Sequence, residues 1–487
     1  MRILLVSSEV VPFAKTGGLA DVAGALPRAL AGLGVQVTVV LPRYRSIDGT
    51  RFGLRKVHEG IRVPVGDRQE TLAVFEAPMP GARALLLGHE EFFGRDGLYQ
   101  EKGRDYADNA ERFTAFARGV LEAVRALDLA PDLLHCNDWQ TGLIPPYLRT
   151  LYAGDPVLGR AATLFTIHNL GYQGLFPAEA FRVTGLPWWL FRWQDMEFWG
   201  KVNFLKGGLV HADCLSTVSR RYSQEIQTPE FGAGLEGALR ERAGDLYGIL
   251  NGVDMEEWNP ATDRYLAARY GRDDLSGKAA CKADLQRAMG LPVRPEVPIL
   301  GVISRLADQK GIDLVAACAE ALLAEETQLV LLGAGDPELE EAFTALREEH
   351  PTEVGVRIGF DVALSHKIEA GADLFLMPSR YEPCGLNQMY SLLYGTIPVV
   401  RATGGLDDTV VPFDPKSGRG NGFKFAEATA EALLAAAREA RACYRNRPLW
   451  TRLVQNAMGA DFSWTRSAKE YVEVYRRAIA KRRGAGG

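Results

Sequence analysis

Two cations and a carboxylate in the second half of the chain have the types and spacing for work on a charged sugar. Arg305 and Lys310 flank the loop Ser304-Arg305-Leu306-Ala307-Asp308-Gln309-Lys310-Gly311, which follows an apolar run. Two cations at a strand's end, just before a helix, suit a diphosphate. A solvated surface pair has the same residue types, but Arg305 follows the apolar strand directly. Glu382 lies in Ser379-Arg380-Tyr381-Glu382-Pro383-Cys384-Gly385, between a short apolar run and a segment of helical pattern. A carboxylate there can accept hydrogen bonds from sugar hydroxyls or balance a developing cation. It can equally be a helix N-terminal acid favoured by the dipole. Cys384, beside the same helix start, has the position of a thiol of lowered pKa. No base stands next to it in sequence, so packing and access are the expected role.

The first half carries its own candidates. Lys15-Thr16-Gly17-Gly18-Leu19-Ala20-Asp21 joins glycines, which let a backbone approach a ligand closely, to a lysine that can meet a phosphate as a point charge. A Gly-Gly turn also serves plain strand-to-helix packing. His168-Asn169 ends an apolar strand ahead of Gly171-Tyr172-Gln173-Gly174, which favours a ligand contact over a structural imidazole. Asp138 similarly follows the apolar run at Leu133-Leu134 in Asn137-Asp138-Trp139-Gln140.

The elements that must position these groups read as α/β. Ile3 to Ser7, Gly18 to Leu33 and Val35 to Leu41 give a strand, helix and strand. Gly-x-Gly-x-x-Gly is missing and the second strand ends in Leu41-Pro42-Arg43, so the turn is not the dinucleotide fingerprint and a dehydrogenase is the least favoured reading. Phe52 to Leu87 alternates as antiparallel strands do, and Tyr106 to Leu127 reads as an amphipathic helix. The Trp- and Phe-dense segment Pro187 to Phe204 is expected to be mostly core, with a sugar-stacking platform as the other reading. Gly248 to Pro260, rich in Asn, Gly and Pro, is the expected hinge. A second α/β pattern places strands at Ile299 to Ile303, Gln328 to Leu332, Val354 to Ile358, Asp373 to Met377 and Ile397 to Val400. Thr16-Gly17-Gly18-Leu19 is echoed by Thr403-Gly404-Gly405-Leu406. Two Rossmann-like domains facing across a deep cleft, each with a glycine turn and cations, would clamp one phosphorylated ligand. The expected domains are 1–247, 248–460 and a C-terminal helix in 461–487 that crosses back to the first.

A chain of 487 residues exceeds one ordinary core. Its 47% hydrophobic and 24% charged residues suit a soluble globular protein, and a net charge of -5 argues against a nucleic-acid partner. No stretch approaches the length of a membrane span, so no membrane partner and a cytoplasmic location are expected. The six cysteines are scattered without a Cys-x-x-Cys pair, as reduced and mostly buried thiols would be.

Taken together, Lys15 to Asp21, Ser304 to Lys310 and Ser379 to Gln388 resemble the bacterial glycogen synthases and plant starch synthases, retaining glycosyltransferases of the GT-B fold. The likeness runs nearly end to end through Thr166 to Asn169, Asn251 to Asp254, Gly333 to Pro337 and Asp461 to Trp464. It implies transfer of an α-glucosyl unit from a nucleoside diphosphate glucose, usually ADP-glucose in bacteria, to the non-reducing end of glycogen or another α-1,4-glucan. By resemblance, Lys15 and Gly18, with Asp21 in the same motif, hold the donor from one side, and Arg305 and Lys310 hold its diphosphate from the other. Glu382, Cys384, Gly385, Leu386 and Thr403 belong to the glucose and phosphate pocket. His168 and Asn169 face the transferring sugar with Asp138 nearby, and Phe360 falls where the family stacks an aromatic, usually Tyr, on adenine. Gln140, Arg220, Tyr381 and Leu393 depart from the family's usual His, Pro, Phe and basic residue.

Catalysis of such a transfer needs cations at the departing diphosphate and acceptors at the sugar. Glu382, His168, Lys15, Arg305 and Lys310 are the expected catalytic set. There is no Asp-x-Asp motif, so no metal and no cofactor are expected, protein cations and helix N-termini taking that role. Competing readings are a UDP-glucose-dependent synthase, a sugar-nucleotide epimerase or glucan phosphorylase, and a glucan-binding protein without catalysis. A phosphorylase would need a pyridoxal lysine and a much longer chain.

Overall fold

Short apolar runs rich in Val, Ile and Leu, each closed by Gly, Pro or a polar residue, form buried parallel strands because both faces are covered by helices. The computed structural model describes residues 1–484. The last three residues of the expected 461–487 segment lie outside the described residues. Among the described residues the chain divides into two units. Met1–Val218, Ser223–Gly252 and the stretch from Trp464 make the first, and Ser219–Tyr222 with Val253–Ser463 the second.

In the first unit the strands are β1 (Arg2–Val6), β2 (Gln36–Pro42), β3 (Arg55–Val65), β4 (Arg68–Met79) and β5 (Ala82–Gly88). A ribbon of β6 (Gln100–Glu101) and β7 (Arg104–Asp105) follows, then β8 (Leu133–Asn137) and β9 (Ala162–Ile167). A small antiparallel sheet holds β10 (Leu175–Pro177), β11 (Glu197–Phe198) and β12 (Lys201–Asn203), and β13 (Cys214–Thr217) and β14 (Leu246–Gly248) complete the strands. The main sheet runs β14-β13-β9-β8-β1-β2-β5-β4-β3, parallel from β14 to β5 and antiparallel through β4 and β3. The helix Gly18–Gly32 follows β1 and buries Leu19, Val22, Leu26 and Leu30 on one face. The terminal helix Trp464–Gly484 also packs on this unit, where Tyr475 Oη lies 2.9 Å from His135 Nδ1. Gly252, where the chain leaves, lies against Trp464, and a Cβ there would sit 2.6 Å from its ring.

The second unit is built on β15 (Ile299–Leu306), β16 (Gln328–Gly335), β17 (Val354–Ile358), β18 (Leu374–Met377), β19 (Ile397–Arg401) and β20 (Phe423–Phe425). All pair in parallel, in the order β17-β16-β15-β18-β19-β20. Ile299, Val330, Leu332 and Phe375 of these strands pack with Leu285, Leu364 and Ile368 of the flanking helices. β20 escaped the sequence reading because three residues carry too little periodicity to register.

Each sheet reverses its winding once. In the first unit the order turns between β1 and β8, and in the second between β15 and β18. At such a switch the loops leaving neighbouring strands diverge, and the opening at the strands' carboxyl ends is the usual ligand site of an open α/β sheet.

One expectation fails. Trp188, Trp189, Trp193 and Trp199 are 57%, 57%, 69% and 85% exposed, so the tryptophans of Pro187 to Phe204 are not core. The segment forms short helical turns and the β11–β12 hairpin, which present these rings outward. Met196, Val202 and Phe204 supply its buried side instead.

Candidate active site

The loop after β1 is organised by a residue that the sequence reading passed over. Glu9 is 4% exposed, and its carboxylate accepts from Thr16 N at 2.5 Å, Thr16 Oγ1 at 2.6 Å, Gly17 N at 3.0 Å and Tyr99 Oη at 2.7 Å. Charge-assisted bonds of this kind pin the turn that carries Lys15 and Gly18. The available signal was a lone charge shortly after an apolar run. Lys15 itself reaches outward, its Nζ 2.7 Å from Asp21 Oδ1 with half of its side chain exposed. Gly18 is exposed as the first residue of its helix, leaving that backbone open to approach.

Across the same switch, the ends of β8 and β9 are tied together. Asn137 Nδ2 donates to Val6 O at 3.0 Å and His135 O at 3.3 Å, which turns its Oδ1 toward His168 Nε2 at 2.8 Å. Nε2 therefore carries the proton. Burial lowers the pKa of His168 from 6.5 to about 3 and that of His135 to about 3, the nearby His168 adding to the second shift. His168 is a neutral imidazole, unfit to serve as a cation. Asp138 adopts φ +57°, a region costly for a residue with a Cβ, and in it Oδ1 accepts His168 N at 2.7 Å. Burial raises its pKa to about 7, opposed by hydrogen bonds from the His168 and Asn169 amides. Asp138, His168 and Asn169 thus come together as one constellation.

This arrangement gives a direct check. In nitrogen-resolved NMR of histidine-labelled protein, His168 is expected to remain the neutral Nε2–H tautomer from pH 8 to pH 4. Its folded pKa is depressed, so the stability it contributes is present above about 6.5 and lost as pH falls toward about 3. An imidazolium signal for His168 at pH 5.5 would contradict it.

In the second unit Lys310 and Glu382 meet directly, Nζ to Oε2 at 2.6 Å, their side chains 20% and 7% exposed. Ser379 Oγ donates to the same oxygen at 3.1 Å. Three neighbouring segments hold this loop. Arg380 N bonds Gln309 O at 2.9 Å, and its guanidinium forms a bidentate pair with Asp313 at 2.7 Å. Arg401 donates to Arg380 O, and Gly405 N to Glu382 O at 3.1 Å. The echoed Thr-Gly-Gly turn is needed for close approach, because a Cβ on Gly404 or Gly405 would fall 1.9 Å from Glu382 O or 2.0 Å from Cys384 O.

The remaining expected residues of this unit lie on other loops and strands of the same sheet. Cys384 is 5% exposed, Gly385 takes φ +71° and Leu386 precedes the helix Asn387–Leu393. Thr403 is buried at the start of the helix Gly404–Thr409. Arg305 lies within β15 rather than beyond it, exposed, with Nη2 3.3 Å from Gln309 Oε1. Phe360 follows the edge strand β17, two strands or roughly 10 Å from β15, with its residue 88% exposed. Gln140, one of the departures, is buried and its Oε1 is without a hydrogen-bond partner among the described residues.

Comparison with known proteins agrees with the fold. Residues 2–241 match the starch synthase catalytic domain family and residues 290–458 the group 1 glycosyl transferases. The chain is 56% identical over 477 residues to the glycogen synthase of Anaeromyxobacter dehalogenans, covering 98% of this chain and 99% of that one. It is 51% identical to the glycogen synthase of Koribacter versatilis, covering 98% of each. The catalytic domain of starch synthase IV from Arabidopsis thaliana, solved with ADP and acarbose, superposes with a TM-score of 0.91 at 34% identity, over 98% of this chain and 99% of that domain. With two parallel α/β units, a side-chain constellation at the switch point of each and full-length likeness to these enzymes, the chain belongs to the glycogen and starch synthase family of GT-B glycosyltransferases.

Proposed function

We propose that this enzyme transfers an α-glucosyl unit from ADP-glucose to the non-reducing end of an α-1,4-glucan with retention, releasing ADP. The relatives are glycogen synthases, and the starch synthase IV neighbour holds ADP and acarbose. The observation that carries the reading is the Lys310–Glu382 pair at the switch point of the second sheet. It sets an ammonium for the departing diphosphate beside a carboxylate for sugar hydroxyls.

The bond from the anomeric carbon to the phosphate oxygen breaks and one to the acceptor oxygen forms. Positive charge gathers on the sugar and negative charge on the leaving ADP. Lys15, Arg305 and Lys310 serve the negative charge. Neutral His168 and Asn169 face the sugar, their backbone set by Asp138. Glu382 already accepts from Lys310 and Ser379, which supports a positioning carboxylate over a covalent nucleophile. The acceptor hydroxyl then attacks on the face that ADP leaves, and its proton passes to the departing phosphate. Phe360 offers adenine an exposed ring. Gly18, Asp21, Cys384, Gly385, Leu386 and Thr403 complete the donor's surroundings. Among the described residues no helix is long and apolar enough to cross a membrane, and the proposed location is the cytoplasm.

The test is incorporation of labelled glucose into glycogen from ADP-glucose and from UDP-glucose in parallel, with EDTA present, for wild type and Lys15→Ala. Transfer is expected from ADP-glucose and unaffected by the chelator. Lys15→Ala is expected to reduce it about 10²-fold while changing stability by less than about 1 kcal/mol, since the Lys15–Asp21 pair is exposed. A UDP-glucose preference would overturn the donor. No transfer from either would favour a glucan-binding protein.

A further inference from the structure

The most conspicuous ring that the proposed chemistry leaves unused is Trp199. It sits with Gly200 in the two-residue loop between β11 and β12, at φ +52° and +76° respectively. A loop with both residues in the left-handed region is met at least strain by Asn, Asp or Gly. A tryptophan there is strained, and at 85% exposure its ring recovers little of that strain by packing. The turn is nonetheless rigid. Gly200 N donates to Glu197 Oε1 at 2.6 Å, and Phe198 pairs with Lys201 across the hairpin.

The hairpin is also joined to the loop that begins at His168. Gln173, five residues on and 7% exposed, accepts from Asn203 Nδ2 of β12 at 2.7 Å and donates to Ala233 O at 3.0 Å. The next residue, Gly234, at φ +82°, lies against the hairpin tip, where a Cβ would be 2.8 Å from the Phe198 ring and 3.8 Å from Trp199 Nε1. Trp199 is therefore held on the same body as His168 and Asn169. Phe198 meets its ring edge-on at 6.5 Å between centroids, and Glu197 and Lys201 stand two residues to either side, which suits a ligand with an apolar face and a hydroxyl rim. Trp188 and Trp189 differ. Trp188 packs on Phe181 and Phe191, and Arg192 lies over Trp189.

We propose that Trp199 is an acceptor subsite, its indole stacking on a glucose ring of the α-glucan a few units from the point of transfer. This rests on the reading of an α-1,4-glucan as acceptor. The strained turn is kept because it presents the ring at a fixed height, so that a flexible chain meets a platform already in place.

The test uses the full chain with maltoheptaose as probe and two variants, Trp199→Gly and Trp199→Phe. Glycine relieves the left-handed turn, so folding is retained and thermal stability should be equal or higher. By calorimetry without nucleotide, Trp199→Gly is expected to bind maltoheptaose about tenfold more weakly. In turnover its KM for glycogen should rise by a similar factor while KM for ADP-glucose is unchanged, and Trp199→Phe should restore most of both. Maltoheptaose binding that is the same in wild type and Trp199→Gly would overturn the subsite, as would self-association of wild type that Trp199→Gly abolishes without altering glucan binding. Trp199-dependent binding by a protein that transfers no glucose would overturn the proposed function and leave the subsite standing.

Discussion

Replacing Glu382 by alanine is expected to lower kcat about 10²- to 10³-fold while leaving affinity for ADP equal or higher. The carboxylate holds the Lys310 ammonium at 2.6 Å and accepts from Ser379, so in the resting enzyme much of that cation's field is directed at Glu382. Without it, Lys310 is freer to meet a phosphate, but the glucose loses the acceptor that orients it. Lys310 is one-fifth exposed and can turn to solvent, so the loss of stability should stay below the about 3–5 kcal/mol of a broken, fully buried pair. Glu382→Gln keeps the shape and removes the charge, which separates the two contributions. Steady-state rates at saturating glycogen, with ADP binding by calorimetry, check the result. An unchanged rate in Glu382→Ala would remove Glu382 from the mechanism.

Gly404→Ala should be nearly as damaging without touching a single charged group. Its φ of +45° is strained for any residue with a Cβ, and that Cβ would fall 1.9 Å from Glu382 O and 2.9 Å from its carbonyl carbon. Both atoms are backbone, so no side chain can rotate away. The Glu382 loop has to move instead, and Arg401 and the 309–313 segment hold it from other sides. We expect a loss of about 2–5 kcal/mol in stability and about 10²-fold in kcat, from displacement of Glu382 and Lys310 relative to each other. Gly237→Ala is the control. It lies in a helix with nothing within 4 Å of its Cβ, and should leave kcat unchanged and stability equal or higher by up to about 1 kcal/mol. Thermal melts and turnover measured side by side decide it, and a Gly404→Ala protein with wild-type values of both would show that the turn does not support the site.

The constellations of the two units differed in how openly they stood in the sequence. Lys310 and Glu382 carry charge in loops that follow apolar runs, so their placement beyond strand ends was legible from hydropathy alone, whereas β15 runs on through Arg305. The Thr-Gly-Gly echo was visible, but its purpose was not, since the carbonyls that demand those glycines belong to residues some twenty positions earlier. Glu9 is a lone charge shortly after an apolar run, and its role exists only once the loop folds back to bring the Thr16 and Gly17 amides onto its carboxylate. Asn137 gave no signal at all, its role lying in bonds to the ends of two other strands. The tryptophans were misplaced for a general reason. An apolar ring contributes the same hydropathy whether or not a surface waits to cover it, and the β11–β12 turn points Trp199 away from any.

What the sequence by itself determined was local: which runs become strands, where each strand yields to a glycine turn or a helix, and which charged or polar residue stands at that junction. Those properties depend on backbone preference and periodicity within a few residues. What only the tertiary structure decided was which junctions become neighbours. β8 lies beside β1 and β18 beside β15, although long stretches of chain separate them, because strand order is settled by covering both faces of each sheet with helices. That choice brings Lys310 to Glu382 across 72 residues of sequence and Asp138 to His168 across 30. Hydrogen bonds and ion pairs act over a few ångströms, so the chemistry exists only after the sheets have formed.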